Sequence, residues 1–200
     1  MTNDVLTPPD IAYLTELEGS IRLSEGLRLA LLASVITPDM GVIVEIGSYK
    51  GMSTCFLAAG SNCGNKVPVF AIDCWNLREA YREKEYKKFH PYDLPENKAV
   101  FEKQTRPYSD VINPVQGFSA EISKTWSQKI GLLFIDGHHD ESWQDYMNWA
   151  HFITPGGFLV WHDANWVGVK NTIRKIIKTK LWHRGVLINS LYSMRRKEKP

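Results

Sequence analysis

The sequence predicts an α/β fold: a doubly wound, mostly parallel sheet with helices on both faces and an antiparallel C-terminal strand. Three observations lead there. Short β-branched runs alternate with segments of helical periodicity, the pattern of right-handed βαβ units. Several of those runs are apolar throughout, as strands are when helices cover both faces. Each ends in an acid or a glycine-rich turn. In open α/β sheets ligands bind at the carboxyl ends of the strands, which puts Glu45, Gly47, Asp73, Asp136 and Asp163 on one rim.

The elements follow in order. Thr7-Pro8-Pro9-Asp10 opens a first helix with Ile11, Leu14, Leu17 and Ile21 at helical spacing. A Leu/Ala-rich helix over 24–36 stops at Thr37-Pro38. The first strand, 42–46, runs into Gly47-Ser48-Tyr49-Lys50-Gly51 and a helix over 52–59. Strands over 67–72, 111–115 and 130–135 follow, the first closed by Asp73 and the third by Asp136. A helix over 141–152 leads to Thr154-Pro155-Gly156-Gly157, a turn into a fifth strand at 158–161 that closes on His162-Asp163. A helix over 169–178 precedes an antiparallel pair, 181–187 and 191–195, around Asn189-Ser190. Residues 1–40 read as an N-terminal helical segment and 41–200 as the ligand-binding domain. Within it, 77–110 breaks the rhythm with mixed charges and six Tyr or Phe; its place after the second strand makes it a candidate lid over the rim.

Composition narrows the class. Of 200 residues, 44% are hydrophobic and 23% charged, which excludes a disordered or fibrous chain. A net charge of +2 makes nucleic acid an unexpected partner, although it hides an acidic body and a basic stretch: 170–200 holds ten Lys or Arg and one acid. Three cysteines, without CxxC spacing, argue against a disulfide framework or a structural zinc. No leader and no membrane-spanning run is visible, so the expectation is a soluble cytoplasmic protein.

The glycine turn is the most informative stretch. Gly47 and Gly51 let the backbone pass close to a ligand, and the helix that follows offers free N–H groups. It is not a dinucleotide fingerprint, because Tyr49 stands where the second glycine belongs. It is not a phosphate-binding P-loop, because Met52 follows Gly51. Glu45-Ile46-Gly47-Ser48-Tyr49-Lys50-Gly51-Met52-Ser53 resembles motif I of class I S-adenosylmethionine (SAM) methyltransferases. Ala71-Ile72-Asp73-Cys74-Trp75 looks like that family's acidic end of the second strand, and Gln116-Gly117-Phe118-Ser119-Ala120 its turn after the third. Phe134-Ile135-Asp136-Gly137-His138-His139 and Gly156-Gly157-Phe158-Leu159-Val160-Trp161-His162-Asp163 are similar to the fourth- and fifth-strand signatures of its metal-dependent sugar and small-molecule O-methyltransferases. The glycine turn alone is weakly specific; the five motifs in order, over roughly 24–178, are strongly so.

The resemblance implies a Rossmann-like SAM-binding catalytic domain and methyl transfer to a hydroxyl of a sugar, glycan or other small molecule. It implies that Glu45, Gly47, Ser48, Gly51 and Ser53 shape the methionine end of the SAM site. Asp73 would hold the ribose, with Trp75 and Ser119 near adenine; Asp136 can also bond SAM directly. His139, three residues after Asp136, matches the family's base, and an imidazole pKa near ~6.5 suits proton abstraction. Asp136 and Asp163 match ligands of Mg²⁺ or a similar divalent ion, which prefers carboxylate oxygens and lowers a hydroxyl's pKa. Here Ala164 stands where catechol-type relatives have an Asn ligand, which leaves Asn165 as the expected third ligand and His162 as a weaker one. Two other classes stay open: a SAM-fold binding module without catalysis and a metal-dependent phosphohydrolase suggested by His162-Asp163. Two hundred residues leave little room for a separate acceptor domain. Specificity then falls to 77–110, to the N-terminal helices or to a partner subunit in a homo-oligomer.

Overall fold

A computed structural model describes residues 8–75 and 95–198. The helices are α1 (Pro8–Thr15), α2 (Leu23–Ser34), α3 (Met52–Cys63), α4 (Pro95–Thr105), the single turn α5 (Ser119–Ile122), α6 (Ser142–Trp149) and α7 (Val167–Lys178). The strands are β1 (Val42–Ile46), β2 (Val69–Asp73), β3 (Ile112–Gln116), β4 (Ile130–Ile135), β5 (Ile153–Trp161), β6 (Val186–Ile188) and β7 (Leu191–Arg195). They form one sheet in the order β3-β2-β1-β4-β5-β7-β6. β1 to β5 are parallel, β7 runs antiparallel to β5, and β6 antiparallel to β7. The order reverses at β1, which lies between β2 and β4. A crevice opens at such a switch point, beyond the carboxyl ends of the strands.

The apolar strands sort their side chains by the two-residue period. Ile43, Leu132 and Phe134 face the layer with Leu29 of α2 and Phe56 of α3. Val44, Leu133 and Ile135 face the layer with Trp149, Trp161 and Ile176. α2 and α3 pack with almost no gap: a Cβ on Gly60 would lie 2.1 Å from the Ala30 carbonyl oxygen.

Some boundaries differ from expectation. α1 stops at Thr15, and Leu17 packs against the core from outside the helix. β2 and β3 run one or two residues later than expected, and α3 runs on to Cys63. β5 begins at Ile153, because the Pro155-Gly156-Gly157 turn is absorbed into the strand. Its pairing with β4 shifts register there, and Gly156 takes a φ of +82°. The basic stretch takes part in this. Arg195 donates to the Gly156 carbonyl at 2.9 Å, and Arg196 donates to that of Ile153. β6 is confined to Val186–Ile188, with one further bridge between Trp182 and Arg196.

Of the expected lid, 77–94 lies outside the described residues. The rest is a prop. Phe101 and Tyr108 are buried in the core, and Gln104 donates to the carbonyls of Lys50 (2.7 Å) and Glu18 (3.0 Å). Among the described residues, no helix is long and apolar enough to cross a membrane.

Candidate active site

The glycine turn is built by three residues in the left-handed region: Gly47 (φ +87°), Tyr49 (+47°) and Gly51 (+88°). Gly47 has no alternative, since a Cβ there would stand 2.4 Å from the Asp136 carbonyl oxygen. The turns after β1 and β4 thus run in backbone contact. Beneath the turn, Glu45 is 0% exposed. Its carboxylate accepts the hydroxyls of Ser53 (2.5 Å) and Thr54, both on α3. Glu45 and Ser53 therefore brace the turn from inside rather than face the crevice, and Ser48 is buried beside them. Burial pushes the Glu45 carboxyl up to about 7, against the pull of the Ser53, Thr54 and Ser48 hydroxyls.

Asp73 closes β2 and ties two loops together. It accepts the Tyr49 N–H at 2.8 Å and the Trp75 N–H at 2.6 Å. Trp75 departs from expectation. Its left-handed φ of +40° turns the ring inward, and it is 1% exposed. Phe101 packs edge-on at 4.9 Å, and the indole N–H donates to the Tyr49 carbonyl at 2.9 Å. It holds the glycine turn and has no face open to adenine. Ser119, at the start of α5, donates to Asp145 of α6 at 2.5 Å.

The ends of β4 and β5 carry the titratable centre. Asp136 follows β4, and His139 begins the 3-10 turn His139–Glu141. Asp163 follows β5 in a left-handed conformation, φ +49°, the kind of strained backbone that clusters at functional sites. His139 Nε2 lies 2.8 Å from Asp163 Oδ2. Trp166 stacks on the imidazole at 4.6 Å and 11°, and a Cβ on Gly168 would stand 2.5 Å from the His139 carbonyl oxygen. The hydrogen bond to Asp163 raises the His139 pKa, and burial opposes it; the same bond, with one to His162, holds the Asp163 carboxyl well below its ordinary value. Burial raises Asp136, partly offset by His162.

Asp136, His139 and Asp163 each offer one ligand atom within 4.8 Å of the others. Two carboxylates and an imidazole suit a hard or borderline divalent ion. The third member of this cluster is His139, whereas Asn165 is exposed further along the turn. His162 is buried between the two aspartates and α2. Its Nδ1 lies 3.2 Å from Asp136 and 3.6 Å from Asp163; Nε2 lies 3.4 Å from Glu25 of α2. Burial pulls the imidazole pKa down, yet the hydrogen bonds and charges of Asp136 and Asp163 outweigh it and lift it to about 11. Glu25 in turn accepts the Ser190 N–H and hydroxyl, both at 2.8 Å. Sequence reasoning missed Glu25. It is one charged residue in an amphipathic helix, 137 positions from its partner.

Comparison with known proteins bears on the family and the fold. The family model of a methyltransferase domain matches residues 44–164. Among solved structures, the O-methyltransferase from Bacillus cereus in complex with S-adenosylhomocysteine (SAH) is 14% identical. The match covers 98% of this chain and 94% of that one, with a TM-score of 0.68. The O-methyltransferase TomG from Streptomyces achromogenes, in complex with SAM, is 11% identical over 99% and 100%, with a TM-score of 0.67. Cofactor-bound Rv0187 from MTB is 16% identical over 96% and 89%, also at 0.67. At such identities the likeness is one of fold. The family match spans more than half of the sequence, glycine turn and all three aspartate-bearing strand ends (Asp73, Asp136 and Asp163) included, and the chain belongs to that methyltransferase domain family.

Proposed function

We propose that the chain is a SAM-dependent O-methyltransferase whose acceptor is a hydroxyl of a sugar, glycan or other small molecule. The observation that carries this reading is the Asp163–His139 pair, 2.8 Å apart on the rim beside the glycine turn. SAM, when bound, supplies a methyl group on a positively charged sulfur. The glycine turn at 47–51 and the N–H groups at the start of α3 suit its carboxylate end. Asp73 suits the ribose hydroxyls, and Ser119 borders adenine.

A hydroxyl attacks poorly until its proton leaves. With Nε2–H donated to Asp163, the nitrogen of His139 left open is Nδ1, and Nδ1 takes the acceptor's proton. Asp163 fixes the tautomer and stabilises the imidazolium that forms; Trp166, stacked on the ring, fixes its plane. The Glu25–His162 pair balances charge behind Asp136 and Asp163 without touching the acceptor.

The donor set also fits a divalent ion, held by Asp136 and Asp163, which would lower the acceptor hydroxyl's pKa. His139 serves one role at a time. If Nε2 ligated the ion, Nδ1 would carry the ring proton and could not accept another.

Calorimetric titration with SAM, followed by a mass-spectrometric acceptor screen with isotope-labelled SAM, tests the reading. Binding with label transfer to an oxygen supports it. Binding without turnover points to an inactive module, and no binding to another chemistry such as phosphate hydrolysis.

A further inference from the structure

The basic C-terminal stretch and the residues that lead into β4 and β5 enclose a cleft that the proposed reaction leaves unused. Its volume is about 460 Å³, within the range of small-molecule sites. Lys129 stands just before β4, His151 and Phe152 just before β5, and Arg196 just after β7. All four line the cleft, with Ile153 and Pro155, and no acidic residue does. It lies at the amino ends of the strands whose carboxyl ends lead to Asp136 and Asp163. The six residues of β4, at ~3.3 Å each, put the two rims roughly 20 Å apart. The nitrogen groups here are unpaired. The Lys129 ammonium and the His151 imidazole have no hydrogen-bond or ion-pair partner among the described residues, and both residues are exposed. Arg196 is held in place. Its N–H donates to the Gly157 carbonyl at 2.8 Å, and its carbonyl accepts the Gly156 N–H at 3.0 Å. Its Nη1 donates to the carbonyls of Ile153 and, at 3.4 Å, Ala150. Nε and Nη2 have no partner among the described residues. Glu198, the one acid of 170–200, lies 3.8 Å from Arg195 instead. Two like charges gathered from distant stretches without a counter-charge repel each other, and an anion between them relieves this.

We propose that this cleft binds a phosphate monoester of a small organic molecule, as a second ligand that takes no part in methyl transfer. Arg196, Lys129 and His151 hold the phosphoryl oxygens, and Phe152 and Pro155 meet the apolar part of the ester. The planar guanidinium, already fixed by its carbonyl partners, offers its remaining N–H groups to two oxygens at once. A phosphate monoester carries a charge of about −1.5 to −2 at pH 7, which Arg196 and Lys129 balance. A carboxylate brings one charge and two oxygens, too few for three donor side chains. Inorganic phosphate leaves the apolar wall uncovered. Nothing in the cleft depends on SAM.

The test is calorimetric titration of the full chain with phenyl phosphate, inorganic phosphate and benzoate, with and without saturating SAH. Wild type binds phenyl phosphate about tenfold more tightly than inorganic phosphate, because of the buried ring. It binds it about tenfold more tightly than benzoate, because of the extra charge-assisted hydrogen bonds. SAH leaves that affinity unchanged. Lys129→Ala and His151→Ala each weaken phenyl phosphate about tenfold. Both variants melt at the wild-type temperature, because neither side chain bonds to the rest of the described protein. Failure of phenyl phosphate to bind overturns the inference, and so does its displacement by SAH, which places it in the cofactor crevice. Wild-type affinity in both variants overturns it too. Inorganic phosphate or benzoate binding as tightly as phenyl phosphate overturns the assignment to a phosphate ester. If SAH itself does not bind, the SAM reading falls alone, and the two variants still decide for or against the cleft.

Discussion

Replacing Glu45 by Gln isolates the energetics of the brace under the glycine turn. The two side chains have nearly the same shape; the change removes the ionisation and turns one of the two oxygens that accept the Ser53 and Thr54 hydroxyls into a donor. Burial raises the Glu45 pKa from 4.5 to about 7, with the Ser53, Thr54 and Ser48 hydroxyls opposing and Asp136 adding to the rise. At ~1.4 kcal/mol for each pH unit, that corresponds to about 3 kcal/mol. The folded pKa exceeds the unfolded one, so the folded state binds the proton more tightly. The associated stability is complete below pH 4.5, is lost as pH climbs to about 7, and is constant above. Gln has no such loss. The stability of Glu45→Gln relative to wild type therefore rises by about 3 kcal/mol across this window. Any fixed cost of an amide among these hydroxyls cancels from the change with pH. Urea unfolding at half-unit steps from pH 4.5 to 8 measures it. A difference that stays flat across the window would refute the buried ionisation.

Three further outcomes concern the rim. His139→Ala lowers kcat by about 10²–10⁴ while calorimetry finds SAM binding unchanged; wild-type turnover removes His139 as base. A base works deprotonated and Asp163 raises the His139 pKa, so the acid limb of kcat/KM lies above the ordinary ~6.5 of imidazole. Asp163→Asn, a residue that tolerates the left-handed backbone, moves that limb to lower pH and lowers kcat. An unmoved limb contradicts the pairing. Protein stripped with EDTA regains activity on adding Mg²⁺, and His139→Ala needs no more Mg²⁺ than wild type. Full activity in excess chelator excludes the ion, and a tenfold higher requirement in the variant makes His139 a ligand.

The fold was legible where burial acts on contiguous residues. β1, β2 and β4 showed as apolar runs because the sheet buries them, whereas β3, at the sheet edge, holds Asn113 and Pro114 and is mostly exposed. The acids that close β2, β4 and β5 fell on one rim because parallel strands end together. Asp136, His139 and Asp163 were readable for that reason. β5 was misread at its start, because Pro-Gly-Gly signals a turn in isolation; here Arg195 and Arg196, some forty positions later, satisfy the carbonyls of Gly156 and Ile153. Trp75 shows the converse. Its closeness to Asp73 suggested the rim, but a left-handed φ sends its ring into the core. Glu25 and Asp145 left no local signal, since their meaning lies in single contacts with distant residues.

The distances along the chain around His162 bear on the order of assembly. Its Nε2 meets Glu25, 137 positions earlier, and Ser190, 28 positions later. Loops of such unequal size close at different entropic cost, and long-range contacts tend to form late. Among the parallel strands only the β1–β4 pairing joins strands that are not sequence neighbours, but the buried groups at their tips find all partners only once α2 and the β6–β7 turn have both docked. During synthesis that stage waits for residue 190. A chain interrupted before then has Glu25 to set behind His162, yet lacks Ser190, whose N–H and hydroxyl Glu25 accepts. The hydrogen-bonded cluster behind Asp136 and Asp163 is therefore completed by one of the last stretches of the chain to be made.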